Sequence, residues 1–381
     1  MRPLRFGMVG GGKDSFIGPA HVMGAQMDGL ARLVAGCFSR TAERNLESGS
    51  FYCIPQDRLY PDYVTMLQAE SAREDGIDFV IIATPNYLHA PVAQAFIDAR
   101  IHVSCDKPVA LSLAEAKSLH KSAVEKDCLF GVSYTYANYP MVRQMQGMVE
   151  KGFIGNLVNV VALYPQDWVL ADVAADKHPE KAWRFNTNFA GHSAATADIG
   201  THLSCMVERV TGKRITRVMS EINHIPEYMP LETDVKVMFR LEGGSNGLLW
   251  ASQAAIGHAC DVSLMVYGDQ GSLQWSHKDP GKLICTKVNQ APFTLMAGSM
   301  ELFPEVRGMC RLPAGHPEGF FEAFGCYYQA FCKHIVAKKE GEPFVDRSQL
   351  SSYTDIEDGL RSLSFVEACL ESAQKEHPVS L

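Results

Sequence analysis

Along the first 135 residues, short apolar runs alternate with stretches whose apolar positions recur at helical spacing. The runs Leu4–Gly10, Leu30–Ser39, Ile77–Thr84, Ile101–Cys105 and Cys128–Ser133 are predicted strands. Pro19–Asp28, His89–Ala99 and Ser112–Lys126 are predicted helices. Near-continuous β-branched strands separated by amphipathic helices imply a parallel sheet covered on both faces.

After about residue 152 the pattern changes. Leu157–Leu163 is strand-like, Pro165–Asn188 is irregular and rich in Asp, Lys and Pro, and Ala194–Thr211 has helical spacing. From 214 to 285 strand-like segments follow one another with few helical patterns, among them Thr233–Leu241, Gly247–Ala255 and Val262–Tyr267. Strands in series imply an antiparallel sheet. Phe320–Val336 and Thr354–Ser372 are predicted terminal helices. The predicted fold class is α/β followed by α+β, a doubly wound parallel sheet and then a large open, predominantly antiparallel mixed sheet. The expected domains are 1–135 and 136–381, with the last helices free to pack back on the first.

Composition changes this picture little. The 381 residues exceed what one core supports, in keeping with two domains. Net charge is −8 and the basic residues are scattered, which argues against nucleic acid or an anionic membrane as partner. No apolar run approaches the roughly 18 residues that span a bilayer. Met1-Arg2-Pro3-Leu4 leads straight into a strand-like segment, so no signal peptide is expected. The 11 cysteines form no C-x-x-C pair, and several sit in apolar runs, as expected for reduced thiols in a cytoplasmic protein with no metal site.

The residues capable of chemistry cluster at predicted strand ends. The first strand runs into Gly10-Gly11-Gly12 and continues through Ser15-Phe16-Ile17-Gly18. Such a loop lets the backbone approach a pyrophosphate held at the next helix N-terminus. A plain strand-to-helix turn has the same composition, but placement after the first strand and before the first helix favours the nucleotide reading. A strict G-x-G-x-x-G needs glycine at position 15, where Ser15 stands, so the turn is longer than standard. At the second strand's tip, Ser39 suits a ribose hydroxyl. Arg40 suits either a 2′-phosphate or a solvated helix start, leaving NAD against NADP open. Thr84, Pro85 and Asn86 end the third strand, where they can line a cofactor while Asn86 caps a helix. Lys107, after the fourth strand, can donate to a substrate hydroxyl or be a surface lysine. Asp198 and His202, at i and i+4, suit a general base with its orienting carboxylate, or an ordinary surface pair.

Gly10–Gly18, Ala83-Thr84-Pro85-Asn86, Asp106-Lys107-Pro108 and Asp198-Ile199-Gly200-Thr201-His202 occur in the order seen in the Gfo/Idh/MocA oxidoreductases, which the chain resembles over nearly its whole length. Tyr164-Pro165-Gln166-Asp167-Trp168, Ala182-Trp183-Arg184 and His316-Pro317-Glu318-Gly319 resemble a sugar or inositol dehydrogenase branch. Asp106 stands where the family usually has Glu. The resemblance implies a Rossmann domain, a C-terminal sheet that serves as oligomer interface, and a catalytic set of Lys107, Asp198 and His202. The candidate cofactor contacts are Gly10, Gly12, Ser15, Phe16, Ile17, Ser39, Arg40, Thr84, Pro85, Asn86, His89, Asp106 and Lys107. The candidate substrate contacts are Lys107, Asp167, Arg184, Asp198, His202 and His316, whose polar character favours a cyclitol or sugar.

The expected activity is reversible oxidation of a secondary hydroxyl of such a substrate with NAD, NADP not being excluded, by a homo-oligomer (dimer or tetramer). An NAD-assisted glycoside hydrolase and a non-catalytic dinucleotide sensor are the alternatives. The presence of both Lys107 and His202 speaks against the sensor.

Overall fold

The computed structural model describes residues 2–173, 184–342 and 349–381. The chain falls into two compact units, Met1–Thr135 with Phe320–Leu360, and Tyr136–Gly319 with Arg361–Leu381.

The first unit contains a five-stranded sheet in the order β2-β1-β3-β4-β5, built from β1 (Leu4–Gly10), β2 (Ala31–Cys37), β3 (Phe79–Ala83), β4 (His102–Cys105) and β5 (Phe130–Val132). Every pairing is parallel. The strand order reverses between β1 and β3, so their carboxyl ends flank the crevice where open α/β sheets bind ligands. Helices α1 (Ile17–Gln26), α4 (His89–Asp98) and α5 (Leu113–Glu125) match the sequence pattern with shifted ends. β2 stops two residues before the predicted Ser39 because the Asn45 side-chain oxygen takes the Phe38 and Ser39 amides at 2.8 and 3.4 Å.

Helices α2 (Ala42–Phe51) and α3 (Tyr63–Ala72) were not expected from the pattern. α2 buries Asn45, Ser48 and Gly49, so its inner face carries no apolar stripe to read. Helix α10 (Phe320–Lys339) completes this unit. Its Tyr327, Tyr328 and Phe331 pack into one cluster with Phe6, Met8, Phe79 and Ile81. The Ser104 hydroxyl lies 2.9 and 3.2 Å from the Tyr327 and Tyr328 hydroxyls, and His21 Nδ1 2.6 Å from that of Tyr328, so these hydroxyls are paired while His21 Nε2 has no hydrogen-bond partner among the described residues.

The second unit is dominated by a nine-stranded sheet in the order β13-β12-β11-β10-β6-β9-β8-β7-β14. β6 (Leu157–Pro165) and β9 (Asn246–Ser252) pair in parallel, and every other neighbour pair is antiparallel. The remaining strands are β7 (Ile215–Asn223), β8 (Asp234–Leu241), β10 (Ser263–Gly268), β11 (Gly271–Ser276), β12 (Lys282–Lys287), β13 (Phe293–Met296) and β14 (Val379–Ser380). Helices α6 (Pro140–Glu150), α7 (Thr187–Ala190), α8 (Thr201–Thr211) and α9 (Pro304–Arg307) belong to this unit. α6 escaped the pattern because it buries Arg143, Gln144 and Gln146 together with its apolar residues. Helix α11 (Ile356–Lys375) carries Arg361, whose guanidinium donates to Glu208 at 2.7 Å and to the Ile215 carbonyl at 2.7 Å. Among the described residues, no helix is long and apolar enough to cross a membrane.

Candidate active site

The loop after β1 is shaped by its main chain. Gly10 and Gly11 have φ of 77° and 64°, in the region that favours glycine. Gly10 sits in register with Ala83 of β3, and the Gly11 amide donates to the Ala83 carbonyl at 3.0 Å. Ser15 N donates to the Gly12 carbonyl at 2.8 Å, and the Ser15 hydroxyl accepts from Gly18 N at 3.2 Å. The glycine that looked three residues late therefore has a role. A Cβ on Gly18 would lie 2.0 Å from the Gly11 carbonyl oxygen, so Gly18 allows helix and loop to meet. The added residues fold into a turn that keeps this contact. Phe16 is 81% exposed and stacks on Phe320 at 5.9 Å, and Ile17 opens α1.

The neighbouring strand ends bring the other first-unit candidates together. Thr84 follows β3, and its buried hydroxyl has no hydrogen-bond partner among the described residues. Pro85 is exposed, and Asn86 opens a short 3-10 turn. His89 is buried with Nδ1 2.6 Å from the Pro108 carbonyl and Nε2 2.9 Å from that of Thr84, so it ties the β3 and β4 loops together. Asp106 accepts from the Lys107 amide at 2.9 Å and the Ser133 hydroxyl at 2.7 Å, which anchors the half-buried Lys107 on the β4 loop. At the β2 tip the Ser39 hydroxyl accepts from Thr41 N at 3.2 Å, and Arg40 is exposed. The glycine cradle, the unpartnered Thr84 hydroxyl and the start of α1 beside the β1–β3 reversal suit a dinucleotide pyrophosphate.

The second-unit candidates lie on a segment that differs from the uniform helix of the sequence reading. Thr196–Gly200 is a π-helical turn leading into α8, and it carries Asp198 while His202 stands in the first turn of α8. Such turns occur often at functional sites. Buried Glu232, which sequence spacing gave no means of finding, starts this segment. Its carboxylate accepts from the Ser193 hydroxyl at 2.6 Å, Ala194 N at 3.1 Å and Thr196 N at 3.0 Å. It thereby satisfies amides at the segment's positive end. Gln253, just past β9, was likewise missed. Its Nε2 donates to Asp198 Oδ2 at 2.8 Å.

His202 is 6% exposed, with the Tyr136 ring edge-on at 4.9 Å between centroids and Tyr164 at 6.2 Å. The Tyr136 and Tyr164 hydroxyls are 2.7 Å apart, and Tyr136 reaches Cys260 Sγ at 3.2 Å. Burial pushes the Cys260 thiol up, but hydrogen bonds from His277, Tyr136 and Tyr164 outweigh it and hold the thiol below its ordinary value. Asp167 follows β6 and accepts from Gly257 N at 3.3 Å. Val169 N donates to the Gln253 carbonyl at 3.0 Å, so the chain leaving β6 runs beside the chain leaving β9. Arg184 lies over the Trp168 ring at 5.9 Å, while Ala182 and Trp183 of that motif fall outside the described residues. His316 is exposed on its loop with Nδ1 3.2 Å from the Pro313 carbonyl.

A parallel sheet with a glycine cradle at its reversal point defines a dinucleotide-binding domain. Sequence comparison agrees. The Gfo/Idh/MocA model for an oxidoreductase family with an NAD-binding Rossmann fold matches residues 4–134, and the family's C-terminal domain model matches 142–274. The chain belongs to the Gfo/Idh/MocA oxidoreductases, and its cofactor is NAD. It is 31% identical to the uncharacterized oxidoreductase YfiI of Bacillus subtilis over 98% of this chain and 95% of that one. It is 27% identical to levoglucosan dehydrogenase of Pseudarthrobacter phenanthrenivorans over 73% and 75% of the two chains. Among solved structures, the inositol dehydrogenase homolog of Azotobacter vinelandii in complex with NADH and myo-inositol is 32% identical, with a TM-score of 0.90 over 100% of this chain and 98% of that one. The chain is thus an NAD-binding oxidoreductase of the inositol and sugar dehydrogenase type.

Proposed function

We propose that this protein oxidises a secondary hydroxyl of a cyclitol or sugar, reversibly, with Lys107, Asp198 and His202 as its catalytic set. The observation that carries the reading is the setting of His202, a buried imidazole one turn from a carboxylate that Gln253 holds. The likeness to a homolog complexed with NADH and myo-inositol supports the substrate class. NAD, when bound, supplies the two-electron acceptor for the carbon-bound hydrogen. The Gly10–Gly18 loop and Thr84 would hold its pyrophosphate side. The His202 imidazole accepts the hydroxyl proton, and Asp198 orients it and balances its charge. The Lys107 ammonium stabilises the oxygen as negative charge develops. Asp167 and Arg184 bind hydroxyls that do not react.

A panel of cyclitols and sugars with NAD, followed by the absorbance of NADH, tests the reading. Turnover of a polyol with net NADH formation supports it. Free sugar released from glycosides without net NADH identifies the NAD-assisted hydrolase instead.

The outer face of the nine-stranded sheet supports self-association. Met219, Met238, Leu248, Val161 and Met265 face one another in register across five neighbouring strands. Met219, Met238 and Leu248 are 42%, 58% and 43% exposed. A second copy of the chain is the proposed cover for this row. Sedimentation should report a dimer or tetramer, and Leu248→Lys should shift it toward monomer.

A further inference from the structure

Gln253 is 1% exposed and rigidly placed. Its amide donates to the Thr233 carbonyl at 2.7 Å, and its carbonyl accepts from Val169 N at 3.0 Å. A carboxylate only accepts hydrogen bonds, so the side-chain group facing Asp198 is the NH2. That assignment leaves Oε1 as the other polar atom of the same planar amide that holds Asp198. Oε1 is buried and has no hydrogen-bond partner among the described residues. Buried acceptors are seldom left in that state, and an unmet one next to reacting groups calls for a donor brought by a ligand. The site otherwise offers acidic and basic side chains, and a polyol brings several hydroxyls that can donate. The reacting hydroxyl gives its proton to His202, so the donor to Oε1 is a different hydroxyl of the same molecule.

We infer that Gln253 serves the polyol site twice, positioning Asp198 through Nε2 and accepting a hydrogen bond from a non-reacting substrate hydroxyl through Oε1. This rests on the dehydrogenase reading above. It makes Gln253 a determinant of which polyols are accepted, because a deoxy analogue lacking that hydroxyl leaves Oε1 unpaired.

The test compares Gln253→Glu and Gln253→Leu with the wild type in the full-length protein, with NAD and the best polyol of the panel. NADH fluorescence titration and melting temperature serve as checks of folding. The Glu side chain keeps the acceptor and loses the donor to Asp198. Its KM should stay within about threefold while kcat, taken as the ratio to the wild type at the same pH, falls at least tenfold near pH 8 and recovers at lower pH, where a protonated carboxyl again donates to Asp198. The Leu side chain loses both groups. Its KM should rise at least tenfold and kcat should fall without recovery at low pH. If the Leu variant does not fold, the pH recovery of the near-isosteric Glu variant decides. Wild-type kinetics in Gln253→Leu, or loss in Gln253→Glu that no pH restores, overturns the inference while leaving the dehydrogenase reading in place. A wild type that oxidises no polyol with NAD overturns the reading itself and the inference with it.

Discussion

The loop after β1 and the segment carrying Asp198 and His202 are built in opposite ways. The first works through its main chain. Glycines at positive φ, a helix start and the Ala83 carbonyl shape it, and from outside the loop the Ser48 hydroxyl accepts from Lys13 N at 3.2 Å and the Tyr52 hydroxyl donates to the Gly11 carbonyl at 2.8 Å. The second works through side chains drawn from distant stretches, with Glu232 starting the helix, Gln253 holding Asp198, and Tyr136 and Tyr164 flanking His202. A main-chain site tolerates many side chains and few added Cβ atoms. A side-chain site tolerates backbone variety and few lost functional groups.

The largest expected effect separates chemistry from binding. His202→Ala should lower kcat by about a hundredfold to ten-thousandfold on the identified polyol, with NADH affinity and melting temperature nearly unchanged. Lys107→Ala should do likewise, and the double variant should lose far less than the product of the two. Normal kcat in His202→Ala across pH would remove the proton-transfer role.

Glu232 sharpens the same contrast. Glu232→Ala takes the acceptor from buried amides and should destabilise the protein by about 3 kcal/mol, read from urea midpoints. Added NADH should still raise the melting temperature of the folded fraction, because the glycine cradle does not depend on this carboxylate. If stability were unchanged, the start of the π turn would have another support.

Acid should act through the first unit. Burial above all holds His21 and His102 down to about 4, so both are neutral in the fold. An unfolded histidine takes its proton near 6.5. Between 6.5 and 4 the unfolded chain binds more protons, and stability falls as pH drops through that window. Each residue should contribute about 3 kcal/mol to this loss. Melting temperatures measured from pH 7 to 4 should show a shallower decline in His102→Gln than in the wild type. A slope equal to the wild type would mean that His102 is protonated in the fold.

The smallest effect concerns the β2 tip. Arg40 is exposed, so Arg40→Ala should leave NADH affinity within about twofold and weaken only residual NADP binding. A large loss of NADH affinity would place Arg40 on the cofactor in a way the exposed position does not suggest.

The parallel strands, the order of the motifs, the glycine cluster and the residue types of the candidate site could all be read along the chain. Each rests on local periodicity or on residues close in sequence, which is the information a linear pattern carries. Helices α2 and α6 were hidden because they bury polar side chains, and periodicity registers apolar ones. The displaced Gly18 looked like a flaw in the motif until the turn at Ser15 brought it against Gly11. Only the tertiary structure decided that Glu232 starts the segment bearing Asp198 and that Gln253, 55 residues further on, holds its carboxylate. Those contacts depend on how β8 and β9 pair in the sheet. Pairing between distant strands is set by packing of the whole unit, and no spacing in the sequence records it.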